Sequence, residues 1–299
     1  MVLRINRPHV FIITCSAVDG KGLLAQKTSF SEDFSESRRK SYGMLEIGEA
    51  TFFCKMREGR KMTEDRTVPK GKWAFDADVT EAFDDMLARS IPGYLDMRRL
   101  CFDLGCKFVK DKTAIVDLGC SRGEALAPFV EKFGAFNQYV GVEVSPPMLA
   151  AARERFKGLI DCGVAHVQEL DLRTRYPSFS ASLTLCVLTL QFTPIEHRQR
   201  IVKNIFKNCL PGGAVILVEK VMGSCCESDA LLADLYWKFK EVNGYSKDDI
   251  ERKRMSLEGV LVPVTAKWNE DLLTSAGFSQ VECFWRVLNF AGWVAIKGN

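Results

Sequence analysis

The sequence predicts an α/β fold: a mostly parallel sheet of seven strands, helices on both faces, and an antiparallel hairpin at the C-terminal end. Three observations carry this. Apolar runs of strand length alternate with helix-period segments from residue 95 onward. A turn with two glycines, "DLGCSRG" at 117–123, joins the first run to the next helix. Acids close successive runs, on the edge where open α/β sheets bind ligands.

The elements follow in chain order. Residues 19–72 are rich in Lys, Arg, Glu, Ser and Gly with little periodicity, so 1–72 reads as a poorly ordered N-terminal extension. Met62 leaves residues 1–61 open to being dispensable or a product of start-codon choice. From Trp73 the pattern changes: Val79, Phe83, Met86 and Leu87 recur at helical spacing and Pro92-Gly93 ends the element. A helix over 95–108 leads into a strand at 113–118, a helix from Glu124 to Phe133, a strand at 138–143 and a helix at 145–156. Next come a strand near 164–169, the apolar run at 182–192, a helix over 195–209 and a strand at 212–221. An amphipathic helix at 231–242 belongs to a helical insertion around 228–262, and the tail at 281–298 reads as two strands about a turn at 290–292. Residues 73–299 thus form one domain.

Bulk properties narrow the chemistry. With 299 residues, 47% hydrophobic and 26% charged, the chain can bury a large core. A net charge of +3 is too mild to announce a polyanion partner, and no direct nucleic-acid binding is expected. Eleven cysteines form no C-x-x-C pair, which points to a reducing, cytoplasmic setting and no metal site. His9, His166 and His197 fall in no recognisable motif. The apolar run "HVFIIT" is far short of the roughly 20 residues of a membrane span, so no membrane association is expected.

Gly119 and Gly123 supply the bend between strand and helix, since a residue without Cβ takes positive φ and lets a ligand approach the main chain. The spacing is neither G-x-G-x-x-G nor G-K-[ST], which disfavours dinucleotide and triphosphate cradles. Asp117 at the strand end would repel phosphate but hold an ammonium. Glu143 closes the next strand, where a carboxylate can take both hydroxyls of a ribose. Asp171, beside Leu172, follows the third and suits an adenine's amine and face. Each acid alone reads as a solvated loop charge; three at successive strand ends select a nucleoside.

This order resembles the class I S-adenosylmethionine-dependent methyltransferases, with their Rossmann-like fold; Ser121 stands where a middle glycine is commoner. The segments "FDADVTEAFDDMLARSIPGY", "DLGCSRG", "TLQF", "LPGGAVILVEK", "VNGYSKDDIERKRMSLEGVL" and "LNFAGWVAIK" are similar to the carboxy-S-adenosylmethionine synthase family over about residues 73–298. The resemblance implies conversion of S-adenosylmethionine and prephenate to carboxy-S-adenosylmethionine and phenylpyruvate, a carboxymethyl donor for tRNA wobble uridine, and a homodimer contacting through 228–242 and 247–262. It carries the ligand positions onto Tyr94, Gly119, Cys120, Ser121, Glu143, Val144, Asp171 and Leu172.

The family's distinguishing arginine falls on Arg254, similar to the residue that binds the added carboxylate. A fixed cation about 5 Å from a sulfonium costs on the order of 3 kcal/mol at an effective dielectric of about 20, whereas a carboxylate on the donor methyl reverses the sign. Val187 replaces the family's asparagine before "xTLQF", removing an amide that could hold the ligand's amino-acid end. Glu143 is one methylene longer than the usual aspartate, and Val144 replaces a polar neighbour. Two other readings stay open: an ordinary methyltransferase, and a binding protein without turnover.

Overall fold

A computed structural model describes residues 71–299. The expected extension at 1–72 falls almost entirely outside the described residues. The first helices, α1 (Ala77–Glu81) and α2 (Phe83–Ser90), split the single segment expected there. Asp76 starts α1 by accepting the Val79 N–H at 3.0 Å, an N-cap. Trp73, Val79, Phe83 and Met86 then close over Met148, so this leading segment packs on the main domain.

Helix α3 (Tyr94–Gly105) precedes β1 (Ala114–Leu118), and α4 (Ala127–Phe133) leads to β2 (Gln138–Glu143). Helices α5 (Pro146–Arg155) and α6 (Lys157–Asp161) connect to β3 (Ala165–Glu169), which is followed by β4 (Ala181–Val187), α7 (Ile195–Asn208) and β5 (Cys209–Met222). Helices α8 (Cys226–Val242) and α9 (Lys247–Leu257) lie between β5 and the short β6 (Val264–Thr265). Helix α10 (Ala266–Ala276) and the hairpin of β7 (Gln280–Val287) and β8 (Phe290–Ile296) complete the chain.

The sheet runs β3-β2-β1-β4-β5-β8-β7. Strands β1 to β5 pair in parallel, and β8 is antiparallel to both β5 and β7. Eight strands replace the expected seven, because β6 pairs with the end of β5 through Val221 and Val264. The chain winds outward from β1 through β2 and β3, then returns to β4 on the other side of β1. A topological switch of this kind opens a crevice at the carboxyl ends of β1 and β4.

Alternation along the strands feeds a core on each face. Val116 and Leu118 meet Ile201, Val202 and Leu272 from α7 and α10 on one side; Ile115 meets Met97, Phe129 and Leu149 from α3, α4 and α5 on the other. Helices therefore cover both faces, as expected. Among the described residues, no helix is long and apolar enough to cross a membrane.

Several boundaries differ from the sequence reading. The run at 182–192 does not continue as a strand: β4 stops at Val187, Leu188 takes a φ of 61°, and Leu190–Phe192 form a 3-10 turn. The helix expected from Glu124 begins only at Ala127, since residues 124–126 are still turn. The hairpin turn lies at 288–289 rather than 290–292, with Leu288 at a φ of 50°. Helices α6 and α10 were not anticipated.

Candidate functional site

A cleft of two lobes follows the switch point. The inner lobe, about 980 Å³, is lined by Tyr94, Arg98, Asp117, Cys120, Glu124, Val187 and Lys220, among others. The outer lobe, about 1010 Å³, is lined by Glu143, Val144, Asp171, Leu172, Arg173 and Thr193, among others. Gly119, Ser121, Leu188, Trp73, Phe75 and Phe192 border both, so the lobes adjoin. Phe75 and Phe192 meet edge to face at 5.0 Å beside that seam.

The glycine loop is shaped by its own neighbours. Gly119 has a φ of 75°, and a Cβ there would lie 2.5 Å from Thr189 Oγ1; at Gly123, φ is 85° and a Cβ would lie 2.4 Å from the Phe156 ring. Thr189 reaches this place because its hydroxyl donates to the Leu118 carbonyl at 2.7 Å. The glycines are thus required by close protein side chains; Gly119 also borders both lobes, whereas Gly123 lines neither. Ser121 takes a φ of 48°, the left-handed region that explains why glycine is commoner there. Cys120 is 3% exposed and packs under Gly141, so it fills space beneath the loop while its edge borders the inner lobe.

Asp117 is 1% exposed, and its Oδ2 has no hydrogen-bond partner among the described residues. Burial pushes its pKa up to about 7, with nearby Arg98 opposing the rise. A buried carboxylate without a donor costs free energy that an entering cation would recover. Its place in the inner lobe fits an ammonium.

Glu143 is held differently. One oxygen accepts the N–H groups of Val144 and Ser145 at 2.8 and 3.0 Å; the other accepts the Ser121 N–H at 2.9 Å. The extra methylene lets the carboxylate curl onto its own turn and still clamp the glycine loop. Three of roughly four acceptor positions on a carboxylate are then filled.

Asp171 forms a fork with Arg173, accepting from Nε at 2.9 Å and Nη2 at 2.8 Å. Hydrogen bonding by Arg173 lowers its pKa. Leu172 and the exposed Val144 give the outer lobe apolar surfaces on which a flat ring can lie.

Several residues that shape or line the cleft escaped the sequence reading. Glu219 on β5 is fully buried and accepts the N–H groups of Thr189, Leu190 and Gln191 at 3.2, 2.8 and 2.7 Å. Burial pushes its pKa up to about 8 against these donors. It curls the chain after β4 and so forms the cleft wall. Lys220, Lys240 and Lys253 come from β5, α8 and α9 onto the inner lobe. Lys220 Nζ lies 4.8 Å and Lys240 Nζ 5.1 Å from the Tyr236 ring, while Lys253 Nζ lies 5.1 Å from the Trp73 ring. Burial pushes Lys220 down to about 8. Only Lys240, after Phe239, has an aromatic residue next to it in the sequence, and nothing local shows that the three lysines converge.

Arg254 stands apart from the other candidates. It lines an adjoining depression of about 690 Å³ that shares Lys220, Tyr236, Lys240, Leu257 and Leu261 with the inner lobe. In this chain its guanidinium bonds Glu251 at 2.7 and 2.8 Å and is largely exposed. The structure therefore gathers Tyr94, Asp117, Gly119, Cys120, Ser121, Glu143, Val144, Asp171, Leu172 and Val187 around one cleft and leaves Arg254 one wall away. No group of three or more metal-ligating side chains occurs among the described residues.

Comparison with known proteins agrees with this geometry. The family model "Methyltransferase domain" matches residues 116–215. A carboxy-S-adenosyl-L-methionine synthase of Methylococcus capsulatus is 37% identical over 75% of this chain and 93% of its own length. One of Wolinella succinogenes is 37% identical over 77% of this chain and 95% of its own. Among solved structures, an O-methyltransferase family protein from Burkholderia thailandensis shares the fold, with a TM-score of 0.53 and 18% identity; 75% of this chain and 61% of that one are covered. A sheet switch point, a bent glycine loop and acids at successive strand ends, joined to such extensive identity, place the chain in the carboxy-S-adenosyl-L-methionine synthase family, among the S-adenosylmethionine-dependent transferases.

Proposed function

We propose that the cleft takes S-adenosylmethionine and prephenate and yields carboxy-S-adenosylmethionine, phenylpyruvate and water. The observation that carries this reading is the set of lysines on the inner lobe, Lys220, Lys240 and Lys253, with Lys240 and Lys253 only 5% and 4% exposed, lining the same cavity as Asp117. A cationic methyl donor gains nothing from such a wall. An anionic co-substrate does, and prephenate carries two carboxylates.

The adenosine would lie in the outer lobe, with its ribose on Glu143, its base between Val144 and Leu172, and its amine toward Asp171. Its ammonium would meet Asp117. Prephenate loses carbon dioxide and hydroxide as it aromatises; the hydroxide takes a methyl proton to form water, and the methyl carbon bonds to the carbon dioxide. The chain's part is to hold both reactants together, exclude water and set the charge pattern. Arg254 would release Glu251 to pair with the new carboxylate, favouring product over precursor.

A second copy of the chain fits this reading. Leu231, Trp237 and Met255, on α8 and α9, are exposed at 61%, 42% and 51%, and Trp237 lines the Arg254 depression. The product would serve as carboxymethyl donor for nucleic-acid modification such as that of wobble uridine, with the RNA bound elsewhere.

The test is incubation of the purified protein with both substrates, denaturation, and mass analysis of the nucleoside. The expected product is heavier than S-adenosylmethionine by one carboxylate replacing a hydrogen, with phenylpyruvate in equal amount. S-adenosylhomocysteine formed without prephenate would replace this reading by ordinary methyl transfer. Retention without conversion would leave a binding protein.

A further inference from the structure

Helix α3 carries Tyr94, Arg98 and Cys101 at positions i, i+4 and i+7, one helical face. Tyr94 and Cys101 are 8% and 5% exposed, so that face is turned inward and takes Arg98 with it. Arg98 borders the inner lobe and also a smaller cavity of about 520 Å³ behind it, where Ala125, Leu185 and Val187 are neighbours. Val187 borders both spaces too. Arg98 and Val187, a charged donor and a side chain with only methyl groups, thus border the same two spaces.

Among the described residues, none accepts a hydrogen bond from this guanidinium and none forms an ion pair with it within 4.0 Å. Asp117 borders the same lobe with its Oδ2 buried and unpartnered. Among charged neighbours, Arg98 acts most strongly on Asp117. An acid and a guanidinium that share a lobe without touching leave a gap for a ligand carrying both charges. An amino-acid end is such a ligand, with an ammonium and a carboxylate on one carbon.

We propose that Arg98 receives the α-carboxylate of the donor's amino-acid end while Asp117 receives its ammonium, the guanidinium doing the work of the amide that Val187 does not have. The assignment rests on the nucleoside reading of the cleft given above. A guanidinium offers a planar pair of N–H donors matched to a carboxylate, so it replaces a single amide donor with a charged, bidentate one. The side chain also selects: a nucleoside lacking the carboxylate would leave it unsatisfied.

The experiment is calorimetric titration of the full chain and of Arg98→Met, which keeps the length of the stem but removes the donors. The probes are S-adenosylhomocysteine and its decarboxylated counterpart. Loss of a charged hydrogen-bond pair predicts that Arg98→Met weakens S-adenosylhomocysteine about 10- to 100-fold and leaves the decarboxylated probe within about twofold. Adding Val187→Asn to Arg98→Met recovers part of the loss. An equal loss for both probes would mean that Arg98 only supports the lobe, and no loss for either would mean that the carboxylate lies elsewhere; each overturns the assignment. Failure of the unaltered chain to bind either probe overturns the nucleoside reading itself, and the assignment with it.

Discussion

Glu143 Oε2 accepts the Ser121 N–H at 2.9 Å, tying the end of β2 to the loop after β1. The bond adds to those that the Gly119 and Cys120 N–H groups donate to the Val142 carbonyl, both at 2.9 Å, and it holds Ser121 in its left-handed conformation. Glu143→Ala strands three buried or half-buried N–H groups and is expected to lower stability by about 1–3 kcal/mol in chemical denaturation. It should weaken adenosine-bearing ligands as well, which calorimetry would show.

Asp117 gives a pH dependence whose sign is set by burial. Its folded pKa of about 7 lies above the ordinary 3.8, so the ligand-free fold binds the extra proton between those values and loses stability as pH rises through them. Asp117→Asn should therefore stabilise the ligand-free protein more at pH ~8 than at pH ~4, by on the order of 2–4 kcal/mol. Binding runs the other way, because an ammonium needs the ionised acid: affinity for S-adenosylhomocysteine should fall about tenfold from pH ~8 to pH ~6, and Asp117→Asn should flatten that profile.

Glu219 holds the turn that ends β4. Replacement by alanine removes the acceptor for three successive N–H groups, and amide hydrogen exchange at residues 189–191 should speed up well before the sheet does. Unchanged protection there would show that the turn is held by other contacts.

Gly123→Ala must accommodate a φ of 85° and a Cβ 2.4 Å from the Phe156 ring. The expected cost is about 1–3 kcal/mol, and Phe156→Leu in the same chain should recover some of it. Additive losses in thermal melts would separate backbone strain from the clash.

Arg254→Leu should abolish preferential retention of carboxy-S-adenosylmethionine over S-adenosylmethionine while leaving S-adenosylhomocysteine binding within about twofold, since the cost of a lone cation beside a sulfonium is removed together with the carboxylate pairing. Calorimetry with both nucleosides checks it. Equal affinity ratios in the two proteins would end its assigned role.

What the sequence revealed was mostly local. The loop from Asp117 to Gly123 and the acids Glu143 and Asp171 are each legible because a strand end, a bend and a charge lie within a few residues of one another. Where the reading failed, a distant partner had decided the outcome. The run at 182–192 has a strand's composition throughout, yet Glu219, thirty residues beyond Thr189, captures its amides and turns it into a 3-10 helix. The start of α4 is delayed because the Gly123 N–H closes onto the Cys120 carbonyl at 2.7 Å, and the chain needs three more residues to leave that turn. Lys220, Lys240 and Lys253 read as ordinary charges until β5, α8 and α9 bring them to one wall. Arg98 was hidden for the same reason.

The ends of the described chain lie at different edges of the fold. Trp73 donates its N–H to the Ser256 carbonyl at 2.9 Å and borders both lobes, whereas Asn299 lies beside Gly212 and Lys110, where β1 and β5 begin. A purification tag or surface anchor is therefore best carried on the edge beside Gly212 and Asn299, where it stands off from the reactants.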